Sequence, residues 1–142
     1  MITRTAGFIL VLPDGRWVMQ RRTEDAPSNA GLLGLFGGGL ELGETPEQAA
    51  RRELAEETDL DPKLDIEYLC TIELADDGNG NRQICTLFRM AIPNAGFKHF
   101  EGSGVEVYSI EELALRSDLA PVPRMALKAT SCGVGVYTTP NA

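Results

Sequence analysis

The sequence predicts an α/β domain in which helices cover a mixed sheet. Three observations carry that expectation. Strand-like and helix-like runs interleave along the chain instead of separating into blocks. Residues 82–92 are apolar on both faces, with Ile84, Thr86, Phe88, Met90 and Ile92 alternating against Cys85, Leu87 and Ala91. That pattern marks a central strand covered on both sides. The length of 142 residues fits one domain and leaves no room for a second.

The elements follow in order. Residues 2–12, rich in Ile, Val, Thr and Phe, read as a largely buried strand. Pro13-Asp14-Gly15 supplies turn chemistry, and residues 16–22 return as the second strand of a hairpin. The polar stretch 24–31 is a loop, and residues 32–36 form a short strand that runs into Gly37-Gly38-Gly39. Thr45 is a good N-cap, Pro46 suits the first helical position, and Gln48 completes a T-x-x-Q capping box, so the main helix starts there and ends before Pro62. Residues 64–74 and 82–92 are strands joined by the Gly/Asn-rich turn 76–81. A short strand at 105–108 precedes a second capping box, Ser109 to Glu112, and a second helix. A third helix is expected from about Pro123 to Ala129. The domain spans residues 1–130, and the tail, 131–142, is an extra strand or disordered.

Composition narrows the function. There are 21 acids against 13 bases, a formal net charge of −8. That is the wrong sign for holding polymeric nucleic acid by its phosphates. An acidic protein can still bind a small phosphorylated ligand if a divalent cation lies between them. Cys70, Cys85 and Cys132 are odd in number and lack C-x-x-C spacing, which points to reduced, mostly buried thiols in a cytoplasmic protein. The N-terminus lacks a signal-peptide layout, and no apolar run approaches the roughly 20 residues of a membrane span. The partner expected is a small phosphorylated substrate, with no membrane and no nucleic acid polymer; a homodimer stays open.

The stretch with chemical content runs from Gly38 to Leu60. At 100° per residue, Glu53, Glu56 and Glu57 fall within an arc of about 100° on one helix face. Stacked like charges destabilise a helix. A hard divalent cation removes the repulsion, and Mg²⁺ or Mn²⁺ suits an all-oxygen site. Ala49 and Ala50 let this helix lie close against another backbone, which Gly37 to Gly39 can provide. Arg52 stands at i, i+4 to Glu56 and can orient it, and Glu44 sits just before the N-cap, where the helix dipole favours an anion. A solvated acidic face is the bland alternative, but the glycines, Glu44, Arg52-Glu53 and Glu56-Glu57 at fixed separations disfavour it.

These residues resemble the Nudix box, G-x₅-E-x₇-R-E-U-x-E-E-x-G-U with U aliphatic. Gly38, Glu44, Arg52, Glu53, Leu54, Glu56, Glu57 and Leu60 match, and Asp59 replaces the second Gly. That Gly ends the helix in a left-handed conformation, for which Asp is among the better substitutes. The resemblance implies a Nudix-type α/β/α sandwich with helices on both faces. It implies Mg²⁺, or Mn²⁺, held by Glu53, Glu56 and Glu57, by Gly37 through its carbonyl, and by a later carboxylate, Glu101 with Glu106 as rival. Catalysis is expected of Glu53 as general base, supported by Arg52 and Glu44, and substrate contact of Gly38, Gly39, Arg21 and Arg22. For Arg21 and Arg22 a salt bridge is the equal alternative. His99 reads as a solvent-exposed loop residue, and Trp17 and Phe88 as core rather than base-stacking groups.

The expected activity is Mg²⁺-dependent hydrolysis of a nucleoside triphosphate, nucleotide sugar or similar diphosphate by attack of water on phosphorus. The competing class is a catalytically silent module that senses a nucleotide or binds a protein. Such a module is expected to lose one of Glu53, Glu56 or Glu57, and all three are present.

Overall fold

The computed structural model describes residues 1–77, 79–132 and 135–138. Its strands are β1 (Ile2–Val11), β2 (Trp17–Arg21), β3 (Leu33–Gly34), β4 (Phe36–Gly39), β5 (Glu67–Leu74), β6 (Arg82–Ala91), β7 (Gly104–Tyr108) and β8 (Val136–Thr138). Its helices are α1 (Pro46–Glu57), α2 (Ile110–Ala114) and α3 (Pro121–Cys132). One mixed sheet runs β3-β2-β1-β6-β5-β8, with β4 added to β1 and β7 to β2.

The centre of the sheet is β1 against β6, parallel from Ile2↔Arg82 to Val11↔Ala91. A parallel central pair needs both faces covered, which is what the two-sided apolar pattern of 82–92 anticipates. The two-residue period of β1 divides the interior. Ala6, Phe8 and Leu10 enter one core with Phe36, Leu54 and Met90 under α1. Ile9 enters the other with Met19, Leu87, Leu113 and Ala126 under α2 and α3. The result is the expected α/β/α sandwich.

The β1–β2 hairpin is closed only at its turn, by Leu10↔Val18 and Val11↔Trp17. Beyond that β2 pairs with β7 and β3. The single strand expected at 32–36 is two shorter ones, because β3 pairs with β2 whereas β4 crosses to β1. Gly37 makes the crossing possible: its φ is +141°, and a Cβ there would lie 2.2 Å from the Ala6 carbonyl oxygen. The third helix is longer at both ends than the expected 123–129, and the described part of the tail adds β8 in parallel to β5. Residues 139–142 of that tail lie outside the described residues.

Helix α1 begins as expected, with Thr45 Oγ1 accepting from the Gln48 N–H and the Gln48 side chain accepting from the Thr45 N–H. Its end differs. Thr58 caps it in an extended conformation (φ −140°), and among the described residues Asn29 is the only non-glycine with positive φ. Asp59 is therefore not a left-handed cap. It is held by a segment far along the chain: the Lys98 N–H donates to Asp59 Oδ1 at 2.7 Å and the Asp59 N–H donates to the Lys98 carbonyl at 3.0 Å. Trp17 and Phe88 are core residues, and Cys70 and Cys85 are free and buried.

Candidate active site

Helix α1 packs on β4 through Ala49 and Ala50, both fully buried, and this brings its acidic face over the glycine strand. The approach is so close that a Cβ on Gly38 would sit 2.3 Å from Glu53 Oε1. The three carboxylates of this face lie at different depths. Glu56 is exposed, Glu53 is mostly covered, and Glu57 is 2% exposed.

Glu57 lies deepest. The Gly37 N–H donates to its Oε2 at 3.0 Å, and its carboxyl meets Glu101 from the loop before β7. Burial, the contact with Glu101 and the nearby charge of Glu53 push its pKa up to about 9, so at neutral pH it retains a proton. Burial also raises Glu53, against the opposing pull of Arg52. Phe100 anchors the loop by donating its N–H to the Glu57 carbonyl at 2.8 Å, which sets Glu101 beside the end of α1.

Arg52 organises the rim. Its Nε and Nη2 donate to the two Glu44 oxygens at 2.8 and 2.9 Å, its Nη1 to Glu53 at 2.9 Å, and its Nη2 to the Gly39 carbonyl at 2.8 Å. Its i, i+4 contact with Glu56 is present but longer, at 3.3 Å. Glu44 is more closely matched because both its oxygens face the guanidinium fork. The same fork, with the Glu41 N–H, holds the Glu44 pKa down to about 2. Glu44 is thus held ionised between Arg52 and the Glu41 N–H.

The other expected residues are distributed unevenly. Gly37 meets Glu57 through its N–H. Gly38 lines a cavity of about 300 Å³, while Gly39 lies outside that lining and serves Arg52. Arg21 is not at the site. It donates to Glu106 at 2.6 and 2.8 Å, to Asp118 at 2.9 Å and to the Gly31 carbonyl at 3.1 Å, so the salt-bridge alternative holds for it. Glu106 is committed to the same pairing, whereas Glu101 lies beside Glu57. Arg22, one residue on, points the other way along the strand. Its Nε donates to the Ser28 carbonyl at 2.8 Å, and its two terminal nitrogens have no partner among the described residues. His99 is half-buried, its Nδ1 3.3 Å from the Glu101 carbonyl.

The cavity beside Gly37 and Gly38 gathers residues that the sequence alone did not single out. Thr3, Thr5, Gly7, Gln83 and Leu87 form its floor on β1 and β6, and Leu35, Val122 and Pro123 form a wall. The available signal was the polar run Thr3, Thr5 and Gln83 on one face of strands that are otherwise apolar. Gln83 Nε2 donates to Thr5 Oγ1 at 3.0 Å.

Among the described residues, no three His, Cys, Asp or Glu side chains stand together in a metal-ligating arrangement. The donor chemistry nevertheless fits a hard cation: all-oxygen carboxylates, with buried Glu57 retaining a proton beside Glu101 and Glu53, which a divalent ion would displace. No described helix is long and apolar enough to cross a membrane.

The NUDIX domain model matches residues 1–129. Among solved structures, a MutT protein from Methanosarcina mazei is similar at 19% identity and TM-score 0.81, covering 92% of this chain and 94% of that one. A MutT NUDIX hydrolase from Burkholderia pseudomallei shares 25% identity at TM-score 0.76, covering 91% and 98%. The NUDIX domain of Shewanella oneidensis NrtR, complexed with ADP ribose, shares 21% identity at TM-score 0.73, covering 92% and 87%. No curated protein matches the chain in sequence.

Proposed function

The chain belongs to the NUDIX family of hydrolases, and on that premise we propose that it hydrolyses the diphosphate of a nucleoside triphosphate, nucleotide sugar or related molecule with Mg²⁺. The observation that carries this reading is the buried Glu57 carboxyl, set against Glu101 and Glu53 where α1 meets Gly37 and Gly38. Glu53, Glu57 and Glu101 would hold Mg²⁺ or Mn²⁺, with Glu56 at the exposed margin and the Gly37 carbonyl as a further oxygen. A bound divalent ion supplies neutralisation of the diphosphate oxygens and polarisation of water at neutral pH.

The protein's own part is positioning. Arg22, with two uncommitted guanidinium nitrogens at the cavity margin, draws in the diphosphate. Arg52 fixes Glu53 beside Gly38, where that carboxylate accepts the proton of the attacking water. Its raised pKa, in the direction set by burial, makes it a better base than an exposed glutamate. The water oxygen bonds to one phosphorus, the bond to the bridging oxygen breaks, and that oxygen leaves on the other phosphate. The nucleoside side lies in the cavity over β1 and β6, against Leu35, Leu87 and Val122. The structure likeness to the domain that binds ADP ribose supports such an occupant. The test is product release from a nucleotide panel: turnover with Mg²⁺, abolished by EDTA and restored by excess Mg²⁺, is expected. Turnover that persists in EDTA would overturn the metal assignment.

A further inference from the structure

Glu101 reaches the carboxylates of α1 from residues 98–103, which are held on two sides. On the β2 side, buried Gln20 donates its Nε2 to the Glu101 carbonyl at 3.2 Å, and the Ser103 N–H donates to the Arg21 carbonyl at 2.8 Å. On the α1 side, Thr58 and His99 form an antiparallel bridge. It is flanked by bonds from the Phe100 N–H to the Glu57 carbonyl, at 2.8 Å, and from the Asp59 N–H to the Lys98 carbonyl, at 3.0 Å. These flanking bonds are backbone to backbone, so any residue but proline at 59 and 100 could donate them.

The next rung of that ladder ends on a side chain. In a regular antiparallel pair the Lys98 N–H would return a bond to the Asp59 carbonyl. Here it donates to Asp59 Oδ1 at 2.7 Å, so the carboxylate stands in for the backbone acceptor. A glycine at this position, as the box pattern has, offers no such acceptor. The helix end does not need that glycine either. Thr58 is extended, with φ −140° and ψ 167°, and its Oγ1 donates to the Leu54 carbonyl at 2.7 Å, which closes the last turn. The departure from the box pattern at Asp59 thus exchanges a left-handed helix end for a charge-assisted bond to the segment that carries Glu101.

We propose that Asp59 is a positioning residue for the cation site: its bond to the Lys98 N–H holds residues 98–101 against the end of α1 and keeps Glu101 beside Glu57. The proposal rests on the cation site inferred above and adds to it a residue outside the acidic cluster. The tie matters because the carboxyls of Glu57 and Glu101 meet, and two carboxylates that must both ionise around a cation repel each other until it arrives. A segment free to move would let the exposed Glu101 withdraw to solvent, and each binding event would have to bring it back. A tied segment keeps the ligand in place, as the outer hydrogen-bond partners of metal ligands do.

The experiment measures the rise in melting temperature with Mg²⁺ alone, at fixed ionic strength and neutral pH, for the parent, Asp59→Ala and Asp59→Asn. Half-saturating Mg²⁺ for turnover is the second readout. The dependence of the gain on Mg²⁺ concentration yields Kd for the folded protein whatever the starting stability, so a purely structural loss leaves it unchanged. Asp59→Ala removes the acceptor and should raise Kd about fivefold or more, below the usual cost of losing an outer partner of a metal ligand because this bond is exposed. Half-saturating Mg²⁺ for turnover should rise by the same factor, with kcat at saturating Mg²⁺ within about threefold of the parent. Asp59→Asn keeps an oxygen acceptor without the charge and should stay within about twofold of the parent. Asp59→Gly, the residue of the box pattern, should match Asp59→Ala and takes its place where the alanine protein does not fold. An unchanged Kd in Asp59→Ala would overturn the proposal, as would an equal loss in Asp59→Asn, which would show that charge and not the bond acts. Stabilisation of the parent by Mg²⁺ leaves the cation site standing in either case. A parent that gains nothing from Mg²⁺ would overturn both.

Discussion

Two arginine-centred clusters lie in this domain, and their charge balance differs. Around Arg21, two cations meet two anions. Arg21 bonds Glu106 and Asp118, and Arg116 bonds Asp118 through two nitrogens at 2.8 Å while lying 4.4 Å above the Tyr108 ring. Around Arg52, one cation serves Glu41, Glu44, Glu53 and Glu56, with Glu57 and Glu101 beyond its reach but in the same neighbourhood. In the first cluster every carboxylate is stabilised as an anion, and both Glu106 and Asp118 are held below the usual carboxylate range. In the second the surplus charge is relieved by Glu57 staying protonated. A balanced cluster ties strands and loops together. An unbalanced one beside a glycine backbone and a cavity is a place for a cation.

The largest expected consequence of that contrast is in catalysis. Glu57→Gln should lower kcat by about a hundredfold or more, since metal-assisted charge stabilisation contributes several kcal/mol to the transition state. Steady-state assays at saturating Mg²⁺ check this, and a near-normal rate would erase the distinction between the clusters. Arg21→Met should act on stability instead. It removes a partly exposed ion-pair hub, and after allowance for solvent screening the loss is about 1–2 kcal/mol, with KM and kcat close to the parent. Because Glu106 and Asp118 are depressed in the fold, their stabilisation is complete above their ordinary values of 4.5 and 3.8 and is lost as pH falls below them. The melting temperature of Arg21→Met should therefore decline less steeply than the parent's between about pH 5 and pH 3. Parallel declines would show that the Arg21 pairs contribute nothing to acid sensitivity.

A smaller effect is expected at Asp59. The Lys98 N–H bond to its carboxylate is lost in Asp59→Gly, and Gly adds unfolded-chain entropy, so about 0.5–2 kcal/mol of stability should go. A gain in melting temperature would restore the left-handed cap that the box pattern suggests.

The difference between Thr45 and Asp59 shows what was legible in the sequence. Thr45 and Gln48 satisfy each other within one turn, so the start of α1 is written locally, as is the glycine strand on which it rests. Asp59 depends on Lys98, whose nearness is a product of the whole fold. Arg21 and Arg22 make the same point. A strand sends neighbours to opposite faces, but which face meets Glu106 and Asp118 and which meets the cavity depends on β7 and on the residues before α3. The acidic arc of α1 was readable from spacing alone. Its gradient from exposed Glu56 to buried Glu57 was not, because β4 and the loop carrying Glu101 create it.

The central claim is that the carboxylates around Glu57 form a cation site and not merely an acidic face. Thermal unfolding of the parent and Glu57→Gln in EDTA and at rising Mg²⁺, at fixed ionic strength and neutral pH, tests it most directly. In EDTA, Glu57 already carries a proton, so Gln replaces a neutral group and the variant should match or exceed the parent. With Mg²⁺ at a hundredfold excess over Kd, the parent should gain about 2.7 kcal/mol. The variant should gain much less. A Glu57→Gln protein that is destabilised in EDTA and still gains as much from Mg²⁺ as the parent would contradict the account.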